Sequence, residues 1–175
     1  ADVVVLVTEP TPFGLNDLIL AVGMVRALGI PFGVAVNRVG TGNHDVFDYC
    51  HRENIPILLE IPNDRRIAEA YSRGDLAVTV FPELEKRLIS LHENLWEMAQ
   101  VRLPVSSPSS AQKQDGTSGP GLPPSRSPAA VSGPVPRELV VISGKGGTGK
   151  TSIVASFFAL AKNATVADCD VDAAD

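Results

Sequence analysis

Two lysines and two threonines are set among four glycines at positions 144–151, in the order Gly-Lys-Gly-Gly-Thr-Gly-Lys-Thr. The stretch follows an apolar run at 139–142 and opens a segment of helical character at 151–162. A strand, a glycine-rich loop, Gly-Lys-Thr and a helix are the parts of a phosphate-binding P-loop. Backbone N–H groups of such a loop surround a phosphate, and the helix N-terminus adds partial positive charge. The sequence therefore predicts a nucleotide phosphate site; a flexible glycine-rich turn is the alternative.

Two side chains of this loop are predicted to bind the phosphates and a metal ion directly. Lys150 is expected to neutralise charge on the β- and γ-phosphates, and the Thr151 hydroxyl is placed to bind Mg²⁺. Lys145 is a second lysine inside the loop, for which a solvated surface side chain is the alternative. Glycines are needed because a Cβ would block positive φ angles and close approach of the phosphates. The predicted phosphate-binding residues are Gly144, Lys145, Gly146, Gly147, Thr148, Gly149, Lys150, Thr151 and Ser152.

The amino-acid composition limits the classes of protein to which this chain can belong. An apolar fraction of 44% over 175 residues supports a real core, and a net charge of −5 argues against a dedicated nucleic-acid surface. Cys50 and Cys169 lie far apart in regular segments, which favours reduced thiols and a cytoplasmic location. Two cysteines cannot supply the four thiolates that an iron–sulfur cluster usually needs. No apolar run approaches the roughly 20 residues of a transmembrane helix.

The first hundred residues alternate strand and helix signals with short loops between them. Continuous β-branched runs, such as Val3 to Val7, are typical of strands buried on both faces of a parallel sheet. Regular alternation predicts an α/β fold, with a parallel sheet covered by helices. The predicted strands are 3–7, 32–36 and 55–61. The predicted helices are 15–28, 43–54, 65–73 and 82–100. Asn43 is expected to cap the second helix, and Asn63 or Asp64 the third.

Residues 102–136 differ in amino-acid composition from the segments on either side of them. They are dense in Pro, Ser and Gly and hold few large apolar side chains, so burial cannot repay the entropy of ordering them. We expect a disordered linker that separates residues 1–101 from a P-loop unit at 137–175. That unit is expected to contain a second strand at 164–168. Both ends of the chain are expected to interrupt a fold, because the first residues enter a strand directly and the last end within a motif.

The loop at 143–151 resembles the deviant Walker A motif of MinD/ParA-type ATPases, with Lys145 in the place of the additional signature lysine. Asp168-Cys169-Asp170 resembles the switch I motif of that family. Residues 7–14, 36–38 and 61–68 resemble the carboxy-terminal half of the family, most closely the branch with an inserted ferredoxin-type domain. The resemblance implies a parallel P-loop NTPase sheet with flanking helices, incomplete and with its halves in permuted order.

The same resemblance implies roles for individual residues. Lys145 would reach the partner's phosphates across an ATP-bound dimer, and Asp170 would position or activate the attacking water. Asp168, Asp170 and Thr151 would lie at Mg²⁺. Asn37 would hydrogen-bond the adenine edge, for which a strand-end turn former is the alternative. The further residues implied beside the nucleotide are Arg38, Pro62 and Asp64.

Two departures from the family pattern leave the architecture open. The carboxy-terminal half precedes the P-loop half, and the middle, including the strand with the Walker B or switch II acid, is missing. One account is the junction of a tandem fusion: the end of one ATPase, a linker and the start of the next. The alternative is a permuted single fold, with strands in the order 164–168, 139–143, 3–7, 33–37 and 57–61.

The resemblance implies an ATP-hydrolysing dimeric switch, acting as a homodimer or by pairing with a tandem copy. Its cofactors would be ATP and Mg²⁺, with a 4Fe-4S cluster in the parent protein alone. One alternative is an ATP-dependent, amide-forming synthetase of the same superfamily. Another is a nucleotide-binding or dimerisation module that does not hydrolyse ATP, because the switch II acid is missing from this chain.

Overall fold

The structure is a computed structural model that describes residues 1–76, 78, 81–100, 137–144, 146–161 and 164–167. The predicted linker at 102–136 lies outside these residues. Strands and helices alternate along the described chain, except that two helices follow the third strand. The elements are β1 (Val3–Thr8), α1 (Pro12–Leu28), β2 (Phe32–Val39), α2 (Asp45–Arg52), β3 (Ile57–Pro62), α3 (Arg65–Ser72), α4 (Pro82–Gln100), β4 (Leu139–Ser143) and α5 (Lys150–Leu160).

The four strands form one parallel sheet in the order β3-β2-β1-β4. β4 pairs directly with β1, with Val3 opposite Leu139 and Val7 opposite Ser143. All six residues of β1 are buried, as expected of a β-branched run with strands on both sides and helices on both faces. The α/β class with a helix-flanked parallel sheet is therefore confirmed.

The two faces of the sheet carry separate cores, because successive side chains of a strand point to opposite faces. Val3, Val5 and Val7 of β1 pack on one face, and Val4 and Leu6 pack on the other. Helices α3, α4 and α5 cover the first face, while α1 and α2 cover the second. Their buried contributions are Ile67, Leu84, Leu88, Leu91, Leu95 and Ile153 on the first face, and Leu18, Val22, Val25, Val46, Tyr49 and Cys50 on the second.

Element boundaries differ from the sequence prediction for local reasons. α1 begins at Pro12, because the hydroxyl of Thr11 accepts a hydrogen bond from Gly14 N at 3.0 Å and caps the helix. β2 continues to Val39, so it includes residues expected to lie just beyond it. The N-cap position of α2 is His44, and Asn43 acts one residue earlier, accepting from Asp45 N at 3.4 Å.

The strand predicted at 164–168 is wrong for the residues that the structure describes. Ala164 to Ala167 are exposed and form no strand, and Asp168 lies outside the described residues. The segment reads Ala-Thr-Val-Ala, and such small side chains bury too little apolar surface to repay ordering against an edge. Within the described part of the chain, β4 is therefore an edge strand.

None of the helices in the described ranges is long and apolar enough to cross a membrane.

Candidate functional site

The carboxyl ends of all four strands meet at one edge of the sheet, where open parallel sheets usually bind ligands. The loop after β4 runs from Gly144 into α5, which begins at Lys150. Gly149 precedes the helix at φ 95° and Gly147 has φ 82°, which are left-handed angles that suit glycine. Two of the four glycines of the loop thus have the positive φ angles expected of them, and the phosphate contacts predicted for the loop stay predictions.

The N-terminus of α5 faces this loop with basic and hydroxyl side chains. Its first turn contains Lys150, Thr151 and Ser152 and no acidic residue. Lys150 is half-buried, whereas Thr151 is exposed. Helix N-termini leave their first N–H groups without intrahelical partners and carry partial positive charge. This end of α5 can thus attract an anion, and the exposed threonine hydroxyl is accessible to a cation bound with it.

Asn37 lies directly against the loop from the far side of β1. Its Nδ2 donates to the carbonyl oxygen of Thr148 at 2.8 Å, and its Oδ1 accepts from Arg38 N at 2.9 Å. A Cβ added to Gly149 would lie 2.3 Å from the same Nδ2. The amide keeps one N–H and one lone pair for a further partner. The residue expected at an adenine is therefore already bound to the loop expected to hold phosphates.

Arg38 and Pro62 occupy the same edge on neighbouring strands. Arg38 has the left-handed φ of 55°, and its Nη1 lies 2.9 Å from Oε1 of Glu9, in the loop after β1. Pro62 is exposed and lies opposite Val39 in the β2–β3 register. Asn63 N donates to Val39 O at 2.9 Å, which holds the end of β3 to that of β2. These residues thus lie beside Asn37.

The carboxylate of Asp64 caps the N-terminus of α3. Its Oδ1 accepts from Arg66 N at 2.8 Å, and Nη2 of the same arginine lies 2.8 Å from Oδ2. These bonds from Arg66 lower the pKa of Asp64 below its usual value. The guanidinium also lies over the Phe81 ring, 4.4 Å from its centre. The carboxylate thus has a local structural role at the start of α3, while its predicted place beside the nucleotide stays a prediction.

A cavity of about 10 Å³ lies beneath the loop, between the ends of β1 and β4. Thr8, Asp17 and Ser143 contribute polar groups to its lining. The Thr8 hydroxyl donates to Gly14 O at 2.9 Å and so fixes the start of α1. A volume of this size holds about one water molecule, so a nucleotide would lie over the loop and outside this cavity.

The structure brings Asn37, Arg38 and Pro62 to the same sheet edge as the loop and the start of α5. Lys145, Asp168 and Asp170 lie outside the described residues, so their predicted roles stay predictions. Among the described residues, no group of three or more His, Cys, Asp or Glu side chains is arranged to hold a metal ion. Cys50 is fully buried, and burial raises the pKa of its thiol to about 11, which disfavours the thiolate that a metal would need.

Comparisons with known proteins add one relative. The chain is 37% identical over 75 residues to an uncharacterized protein of Methanocaldococcus jannaschii, MJ0579. The match covers 43% of this chain and 24% of that protein, so the chain spans about a quarter of its relative's length. No protein-family model matches the chain, and no solved structure matches it significantly.

Proposed function

We propose that this chain binds the phosphates of ATP, together with Mg²⁺, on the loop at 144–152. The observation that carries the proposal is the 2.8 Å hydrogen bond from Asn37 to Thr148 O, which joins the end of β2 to the glycine-rich loop. This bond brings two segments that are far apart in the chain to the same edge of the sheet. At that edge the N-terminus of α5, which attracts anions, lies near the polar amide of Asn37. The pairing of β4 with β1 supports the permuted single fold, in which both segments contribute to one site.

The described residues fit a nucleotide phosphate on physical grounds. The left-handed glycines permit close backbone approach, the start of α5 carries partial positive charge, and Lys150 adds a full charge. When bound, Mg²⁺ would neutralise phosphate charge, and Thr151 offers it a hydroxyl oxygen. Asn37 retains a donor and an acceptor for a base, and the exposed end of β3 at Pro62 lies on the neighbouring strand.

Hydrolysis and dimerisation are the further parts of the proposal. They rest on the resemblance to MinD/ParA-type ATPases, in which Lys145 would reach the partner's phosphates and Asp170 would act on the attacking water. The parent protein of such a chain would bind or transfer an iron–sulfur cluster. A nucleotide-binding module without hydrolysis is the second candidate, because the glycine-rich loop, the start of α5 and the Asn37 amide account for binding alone.

Calorimetric titration of the 175-residue chain with ATP and Mg²⁺ tests the proposal. Replacing Lys150 by Met is expected to weaken ATP binding by roughly 10- to 100-fold, because a charged hydrogen-bond donor to phosphate is lost. Lys86→Met, on the exposed side of α4, is the matched control and is expected to bind as wild type. Unchanged affinity in Lys150→Met, or no binding by the wild type, would overturn the proposal.

Phosphate release from the same samples separates the two candidates. Turnover that Lys150→Met abolishes supports an ATPase, whereas tight binding without turnover supports the binding module.

A further inference from the structure

We propose that Asn37 is a positioning residue of the phosphate loop, so that it supports phosphate binding whether or not a base is present. This inference rests on the proposed function and goes beyond the adenine contact that the resemblance implies. Its basis is the direction of the amide: the donor atom Nδ2 points at the loop carbonyl of Thr148 and lies 2.8 Å from it.

The bond is placed where it can control the conformation of the loop. Thr148 is 4% exposed, and its carbonyl belongs to the peptide that leads into Gly149, the residue at φ 95° just before α5. A hydrogen bond that fixes this carbonyl also fixes the orientation of the peptide plane. The adjoining N–H, that of Gly149, lies in the same plane, at the entrance to the helix end where an anion would bind.

The other end of the bond is anchored equally firmly. Asn37 continues from buried strand residues, with Val36 fully buried, and its Oδ1 is held by Arg38 N at 2.9 Å. The side chain therefore cannot turn away without breaking a second hydrogen bond. Gly149 is required as well, since a Cβ there would lie 2.3 Å from Nδ2. Together these contacts make the end of β2 a rigid support for the loop.

Binding of two ligands separates positioning from base recognition. ATP carries a base, whereas inorganic tripolyphosphate carries the phosphates alone. Asn37→Ala is expected to weaken both by about fivefold, the typical effect of one lost hydrogen bond. Asn43→Ala is the matched control: it removes an exposed amide that contacts Asp45 outside the site, and both affinities are expected to stay at wild-type values. Weaker ATP binding with unchanged tripolyphosphate binding would overturn the inference and make Asn37 a base contact.

Amide hydrogen exchange of the ligand-free chain gives a readout that needs no nucleotide. Asn37→Asp keeps an oxygen for Arg38 N but loses the donor to Thr148 O. The amides of 147–150 are expected to exchange about fivefold faster in it, while those of β2 and β3 stay as in wild type. Unchanged exchange at 147–150 would overturn the positioning role. Wild type that binds neither ligand would overturn the proposed function instead, and the exchange comparison would still decide the role of Asn37.

Discussion

β1 and β4 are neighbours in one sheet and have similar apolar sequences, yet they are buried to very different degrees. Every residue of β1 is at most 3% exposed, whereas all five residues of β4 are only half-buried. The two strands are in direct register, so the difference comes from position: β1 has a strand on either side, and β4 is at the edge of the described sheet.

The comparison distinguishes the strand that is central to the core, β1, from the strand that carries the candidate site, β4. β1 contributes fully buried side chains to both cores, whereas β4, to which the glycine-rich loop is attached, contributes only partly buried ones. Segments with fewer buried contacts open locally at lower free energy than the centre of a sheet. The glycine-rich loop after β4 therefore depends for its order on contacts with other strands, such as the Asn37 hydrogen bond. Three pairs of substitutions follow, in order of decreasing expected effect, and the first two test this division.

The largest effect is expected from truncating paired core residues of the two strands. Leu6 is 1% exposed and lies opposite the half-buried Ile142 in the register. Leu6→Ala is expected to lower the free energy of unfolding by about 3 kcal/mol, and Ile142→Ala by roughly 1–2 kcal/mol, because less burial is lost at the edge. Urea denaturation followed by circular dichroism measures both. Equal losses would contradict the assignment of β4 as the less buried strand.

An intermediate effect is expected at the glycine before α5. Gly149→Ala is expected to lower the free energy of unfolding by roughly 1–2 kcal/mol, because an alanine at φ 95° is strained and its Cβ meets the Asn37 amide. Gly146→Ala is the matched change in the same loop, where an added Cβ meets no atom of the described residues within 4 Å, and it is expected to be near neutral. Thermal unfolding compares the two. A Gly149→Ala chain as stable as wild type would show that the loop adapts freely.

The smallest effect is expected at the cap of α3. Arg66→Ala is expected to raise the pKa of Asp64, because the hydrogen bonds from Arg66 hold it below its ordinary value. A lowered carboxyl pKa stabilises the folded state above the unfolded pKa, and this contribution disappears as the pH falls through the folded pKa. Carboxyl chemical shifts in an NMR titration report the change. Arg65→Ala, which removes the neighbouring exposed pair with Glu69, is expected to leave the Asp64 titration unchanged.

Much of the fold follows from the sequence, because its signals are local. The β-branched run at 3–7 and the regular alternation of strand and helix signals each act over a few residues, and the structure confirms the α/β class that they predict. The second strand, predicted to end at residue 36 or 37, instead continues through Arg38, since ladder pairing with β3 extends to Val39. Local propensity contains no information on how far a neighbouring strand extends.

The contacts of the candidate site are less accessible to sequence reasoning. The Asn37–Thr148 pair spans 111 positions, and no periodicity links them. The motif at 144–151 predicts which groups would contact a phosphate, but it does not indicate which strand end supports the loop. Over the described residues 164–167 of the expected strand, none forms although β4 offers an open edge, because a strand also needs enough apolar surface to bury, and this is a tertiary condition.

The late position of β4 in the chain has a consequence for the order of folding. β1, β2 and β3 are closely spaced along the chain, whereas Glu138, at the start of β4, meets Asp2 across a separation of 136 residues. Long loops close at a greater entropic cost, and contacts of high sequence separation form slowly. The three-stranded part can therefore assemble first, and β4 then docks on the open side of β1. In that order of events the glycine-rich loop would take its final shape in the last step, and the candidate site would be complete only when folding is complete.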